Sequence, residues 1–196
     1  MSSRRRAPKR PHGAERRKEL NYHPSAAQQL GRDLPSFLAE FIHNAYDCVK
    51  RNDLDPADVQ INFNSTTMTL TIENPSGKED FVLQNFKISA NLNRNDNSDE
   101  HGHYGIGLKD ACAFCVQDFD ITIYHRNKKF HVFYDQDAGE EEDGEQRGDT
   151  VVEQTQEDTP CDNVTVVLTA TNNGKVEELE RNVRFAKYNV WAWLVQ

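Results

Sequence analysis

Apolar and polar positions alternate with two different periods along this chain. Phe37, Leu38, Phe41, Ile42, Ala45, Cys48 and Val49 recur at helical spacing. This pattern predicts an amphipathic helix from about Ser25 to Lys50, with Pro35 marking its start or a kink and Asp33 as a possible cap. Period-two alternation follows. Val59, Ile61 and Phe63 mark a strand over Asp58–Asn64, and Met68, Leu70 and Ile72 mark a second over Thr66–Glu73, with a tight turn at Asn64-Ser65. Asn74-Pro75-Ser76-Gly77 ends that strand, and a short helix is expected around Glu79–Phe86.

Residues 87–101 are polar and without period, as a mobile loop would be. A helix over Tyr104–Val116 comes next. Asp120–His125 and Lys129–Asp135 read as a hairpin turning at Arg126-Asn127-Lys128, Asn163–Thr171 as a strand, and Val176–Tyr188 as a closing helix after the turn Asn172-Asn173-Gly174. Antiparallel neighbours joined by short turns, with helices enough for one face, predict an α/β two-layer sandwich: a mixed, mainly antiparallel sheet covered on one face by helices.

Composition and charge add the domain limits. The chain has 196 residues, which suits one domain with tails. No apolar run is long enough for a membrane span, so no membrane partner is expected. The N-terminus is basic but has no apolar core of a secretory signal. Four cysteines without framework spacing fit a reducing compartment. An intracellular, cytoplasmic or nuclear protein is therefore expected. Cys112-Ala-Phe-Cys115, with His101 and His103 upstream, has the spacing of a zinc half-site; two small core residues on one helix face is the plainer reading.

The net charge of −9 is unevenly spread. Residues 1–20 carry eight Lys/Arg against two Glu, or +6, which leaves −15 for the rest. Residues 1–22 are expected to form a basic disordered tail, serving as an import signal, a weak nucleic-acid contact or a solubilising tail. Residues 23–196 form the folded unit, broken at about 135–158 by an acidic disordered insertion with eleven Asp/Glu and one Arg.

Two clusters carry candidate chemistry. Glu40, Asn44 and Asp47 stand at i, i+4 and i+7 of the first helix, within roughly a 60° arc at 100° per residue. The stripe lies beside the apolar face and not opposite it, where a ligand can reach. Gly102-His103-Tyr104-Gly105-Ile106-Gly107-Leu108-Lys109 is a glycine-rich loop running into an apolar helix, where backbone N–H groups can cradle phosphate. Together they suggest a nucleotide site with a metal ligand and a general base.

These residues resemble the GHKL ATPases, the group named for gyrase, the ninety-kilodalton heat-shock chaperone, histidine kinases and MutL, whose ATP site is the Bergerat fold. The first family motif, E-x-x-x-N-A-x-D, is met by Glu40, Asn44, Ala45 and Asp47. The G-x-x-G-x-G motif is met by Gly102, Gly105 and Gly107, in wording closest to microrchidia-type and chaperone-type members. The resemblance spans about residues 30–175. The family's second motif, D-x-G-x-G, is altered. The strand ends Thr71-Ile72-Glu73-Asn74-Pro75-Ser76-Gly77, so Glu73 stands for the adenine-binding Asp, Pro75 for the first Gly, and only Gly77 is kept. The Gly-Thr that often begins the late strand falls at Asn163-Val164, with Thr165 one step off.

The resemblance implies ATP and Mg2+ as ligands. Glu40 would polarise the attacking water, Asn44 would bind magnesium, and Gly102 to Gly107, with Leu108 and the following amides, would hold the phosphates. Lys109 either adds charge near the γ-phosphate or is a solvated helix residue. His103 either touches phosphate or stands by. Asp47 either orders the adenine side through water or serves as a cap or salt-bridge partner. The implied function is a slow Mg-dependent ATPase whose nucleotide state orders a lid at about 87–107 and gates a protein client or a homodimer. The alternative is a non-catalytic nucleotide-binding or scaffold module with a degenerate adenine pocket.

Overall fold

In a computed structural model of the chain, residues 14–19, 33–77, 107–138, 141–142, 145–146, 148–171 and 174–194 are described. Helix α1 (Leu34–Arg51) starts where its cap dictates. The Asp33 side chain accepts from Ser36 N at 3.1 Å, and Pro35 sits in the first turn, where its missing N–H costs nothing. The expected helical residues before Asp33 lie outside the described residues, as do the expected helix at Glu79–Phe86 and the loop at 87–101.

Strands β2 (Gln60–Asn64) and β3 (Thr69–Pro75) form an antiparallel hairpin. Asn64 Oδ1 accepts from Thr66 N and Thr67 N, and Met68 takes a positive φ of 57°. That Asn-led turn consumes residues read as the start of the second strand, which therefore begins at Thr69.

Helix α2 (Gly107–Cys115) leads into β4 (Phe119–Asp135). β4 cannot be straight. His131 Nε2 and Asp120 Oδ1 meet at 2.6 Å, whereas a straight strand would separate them by roughly 36 Å. The run doubles back near Arg126, which has a φ of 54° and lies at a register shift. The inward residues change parity across this turn, from Phe119, Ile121 and Ile123 to Phe130 and Val132.

β7 (Asp149–Ala170) pairs antiparallel with both arms of β4, along 164–170 and 149–156. Its far half also pairs with β3, and its near half with β1 (Ala14–Glu19). Every pairing among the described residues is antiparallel. Two short strands, β5 (Glu141–Glu142) and β6 (Glu145–Gln146), pair with each other between β4 and β7.

Regular structure thus reaches into two stretches read as disordered. Residues 149–158 lie in β7 and residues 14–19 form β1. Charge averaged over a window hides what holds them. Val151 and Val152 are fully buried opposite Phe133 and Val132, and 151–155 pair along the backbone with β1.

Helices α1, α2 and α3 (Gly174–Leu194) accompany the five-stranded sheet, an α/β fold. Phe37, Leu38, Phe41 and Ile42 of α1 share one core with Leu70 and Ile72 of β3, Ile121 and Ile123 of β4, and Leu168 of β7. Phe37 stacks on Phe114 of α2 with ring centroids 4.2 Å apart, while Leu179, Val183 and Ala186 bring α3 into the same core. α1 touches β3, α2 and α3, so it is the element around which a site on the helical side is arranged.

Candidate functional site

α1 carries the polar stripe along the rim of this core. Glu40 and Asn44 are half-buried and Asp47 is 4% exposed. Asn44 Nδ2 donates to the Glu40 carbonyl at 2.7 Å, which spends the donor on the helix and leaves the amide oxygen for a ligand.

Glu40 reaches the second cluster. Its carboxylate lies so close to Gly107 that a methyl group there would overlap Oε2. Gly107 opens α2 as described, so the carboxylate stands beside the first described turn of that helix. The polar stripe and the glycine motif therefore meet in space. Gly102, His103, Tyr104, Gly105 and Ile106 lie outside the described residues. Leu108 packs partly into the core.

Lys109 is only 3% exposed, so it is not a solvated helix residue. Burial lowers its pKa, while the charges of Asp149 and then Asp110 raise it. Cys112 and Cys115 are core residues at 0% and 1% exposure, and burial pushes both thiols up. Protonated thiols in an apolar core suit packing better than zinc ligation. Among the described residues no group of three or more His, Cys, Asp or Glu is placed to hold a metal ion.

The residues expected at the adenine end lie near where α1 finishes. Asn52 caps α1 and donates from Nδ2 to the Cys48 carbonyl at 2.8 Å. Gly77 packs against the Asn52 amide, so a side chain there would have to displace it. From Glu40 to Asn52 the helix runs roughly 18 Å at 1.5 Å per residue.

Glu73, expected at this end, lies on the opposite face of the sheet. β3 buries Leu70, Ile72 and Asn74 in alternation and turns Thr69, Thr71 and Glu73 away from the helices. Glu73 accepts a hydrogen bond from Asn163 Nδ2 and pairs in register with Thr165 and Gln60. Thr165 is thus removed from the site side as well.

Asn74, the neighbour of Glu73, is 4% exposed on the helix-facing side. Its signal was available: alternation continued from Leu70 and Ile72 reaches Asn74, not Glu73. Asn74 Nδ2 donates to the Pro75 carbonyl at 2.9 Å, so its oxygen is the end that a ligand can use. Val164 and His125 stand beside Asn74 in one row across β7 and β4. Ser76 Oγ, next along the chain, is buried with no hydrogen-bond partner among the described residues.

No family model matches the chain, and a search of curated proteins finds no relative. No helix among the described residues is long and apolar enough to cross a membrane.

Proposed function

We propose that this chain is a magnesium-dependent ATP-binding domain of the Bergerat type that hydrolyses ATP slowly. The observation that carries the reading is the contact of the Glu40 carboxylate with Gly107 at the start of α2. It sets a candidate general base beside the glycine that opens the described turn of α2, the kind of pairing that phosphoryl transfer to water uses. The antiparallel sheet with its helices adds support, as does the buried Ser76 Oγ, which has no hydrogen-bond partner among the described residues.

In this reading the first-turn amides of α2 bind phosphate oxygens and Glu40 orients the attacking water. Asn44 Oδ1, a hard oxygen whose amide nitrogen is already engaged, would hold the cation. Magnesium, when bound, neutralises charge on the transferring phosphate. Asn74 Oδ1, and not Glu73, would accept from the purine amino group. The nucleotide would order residues 87–107 as a lid and gate a protein client or a second copy.

One observation favours a second reading. Val164 occupies the place beside Asn74 where the resemblance puts a threonine hydroxyl, so the base end has lost a polar contact. A nucleotide-binding or scaffold module without turnover would tolerate that loss. Calorimetry of magnesium and ATP, followed by turnover of wild type and Glu40→Ala, separates the readings. The ATPase reading expects magnesium-dependent binding that Glu40→Ala retains, with turnover reduced by about 10²-fold. Binding without turnover supports the nucleotide-binding module, and no magnesium-dependent binding at high micromolar nucleotide refutes the ATPase and hands the case to the scaffold.

A further inference from the structure

α3 has two faces of different character. Leu179, Val183 and Ala186 are buried in the core, and Lys187 Nζ donates to the Ile61 carbonyl of edge strand β2 at 3.0 Å, so the helix is held against the sheet and its neighbours. The opposite face carries Glu177, Glu180, Arg181, Arg184 and Phe185, which line one open depression. At 100° per residue these five fall within roughly a 140° arc turned away from the buried residues. Phe185 is 56% exposed, the only large apolar side chain so exposed among the described residues. Covering such a ring is favourable in proportion to the area removed from water.

The charges on this face are ordered along the helix. The acidic pair Glu177 and Glu180 comes first and the basic pair Arg181 and Arg184 follows, with Arg184 Nη2 donating to Glu180 Oε1 at 2.9 Å. Two such helices packed antiparallel, about a twofold axis between 180 and 181, set Glu177 across from Arg184 of the second copy and Glu180 across from its Arg181. The symmetry forms each of these pairs twice. Parallel packing would set like charges together. The face is therefore complementary to itself in one orientation. We infer that the outward face of α3 is a self-association surface, occupied by the same face of a second copy of this chain in an antiparallel, twofold pair. The ordered charges set the orientation and Phe185 supplies the apolar contact. A single helix face is a small interface, so the pair is reversible.

The test uses the whole chain without nucleotide, so its failure is distinct from failure of the ATP reading. Sedimentation velocity from about 10 µM to about 1 mM covers the weak end of specific association. The variants are Arg181→Glu/Arg184→Glu, Glu177→Arg/Glu180→Arg, the exchange of all four charges in one chain, and Phe185→Ser. None of these side chains is buried, so the melting temperatures should stay within a few degrees of wild type.

Wild type should form a reversible dimer. Each double reversal places like charges opposite one another and should raise the dissociation constant by about tenfold or more. An equimolar mixture of the two reversals should associate at least as tightly as wild type, because every facing pair is then of opposite sign. The four-charge exchange should restore self-association, and Phe185→Ser should weaken it by about tenfold. A wild type that stays monomeric up to about 1 mM, the weak limit of specific association, would overturn the inference. So would a dimer whose affinity is unmoved by the reversals or by Phe185→Ser, since that dimer uses another surface. Two reversals that fail to associate when mixed would overturn the antiparallel pairing.

Discussion

The Glu40 carboxylate rests on the α-carbon of Gly107, with no room for a side chain between them. This close approach, and not conformational freedom, is what the glycine at the start of α2 permits. Gly107→Ala is therefore expected to push the carboxylate aside, which a flexible side-chain end can do without unfolding. The melting temperature should stay within a few degrees, and ATP turnover should fall by about 10²-fold, as for a misplaced general base. The Gly107→Ala/Glu40→Ala double variant should be no slower than Glu40→Ala. Unchanged turnover in Gly107→Ala would show that the contact has no part in catalysis.

Asn74 and Glu73 are neighbours on opposite faces of β3, so substitutions there should part company. Asn74→Leu should weaken ATP binding by roughly tenfold, the worth of one hydrogen bond lost from a buried ligand group. Glu73→Ala should leave it within twofold. With one N–H of Asn74 engaged by Pro75, the amide oxygen would accept from an exocyclic amino group such as that of adenine. GTP, which presents a carbonyl there, should bind more weakly than ATP. Equal affinities for the two nucleotides would remove Asn74 from the base contact.

Legibility in the sequence followed the scale of the interactions. The cap at Asp33, the apolar face of α1 and the hairpin of β2 and β3 rest on local chemistry, and each was readable from neighbouring residues. The meeting of Glu40 with Gly107 is a long-range contact, suggested by motif chemistry but placed only by packing. Glu73 was chosen on a matched motif letter, whereas strand parity points Asn74 to the helix side. Strand formation over residues 149–158 was hidden because its apolar pair, Val151 and Val152, stands among carboxylates, and pairing with β4 leaves no mark on composition.

The acidic region offers a direct check on that last point. Asp135 and Asp149 are paired in register, so a short loop can join β4 to β7. Deleting residues 139–147 should leave the melting temperature within a few degrees, because loop length changes stability only weakly. Deleting residues 149–158 removes the near half of β7, with Val151 and Val152, and should abolish cooperative unfolding. A folded protein after the second deletion would return this segment to disorder.

Lys109 makes stability depend on alkaline pH in a defined direction. Burial disfavours its charged form in the folded state, so its folded pKa lies below the ordinary lysine value of 10.5 despite the raising effects of Asp149 and Asp110. Between the folded and unfolded values, the unfolded chain binds more protons at this site than the folded one. The contribution of Lys109 to stability therefore rises with pH across that window and levels off above 10.5. Lys109→Met has no such group, and its own stability is set by the carboxylates left behind. Denaturant melts of both proteins from neutral to strongly alkaline pH should show wild type gaining on Lys109→Met as pH climbs. In the Asp149→Asn background Lys109 loses its strongest raising partner, so its folded pKa falls further and the rise should begin at lower pH. A difference between wild type and Lys109→Met that shrank with rising pH would mean that the ammonium is stabilised by the fold, not held there against its desolvation.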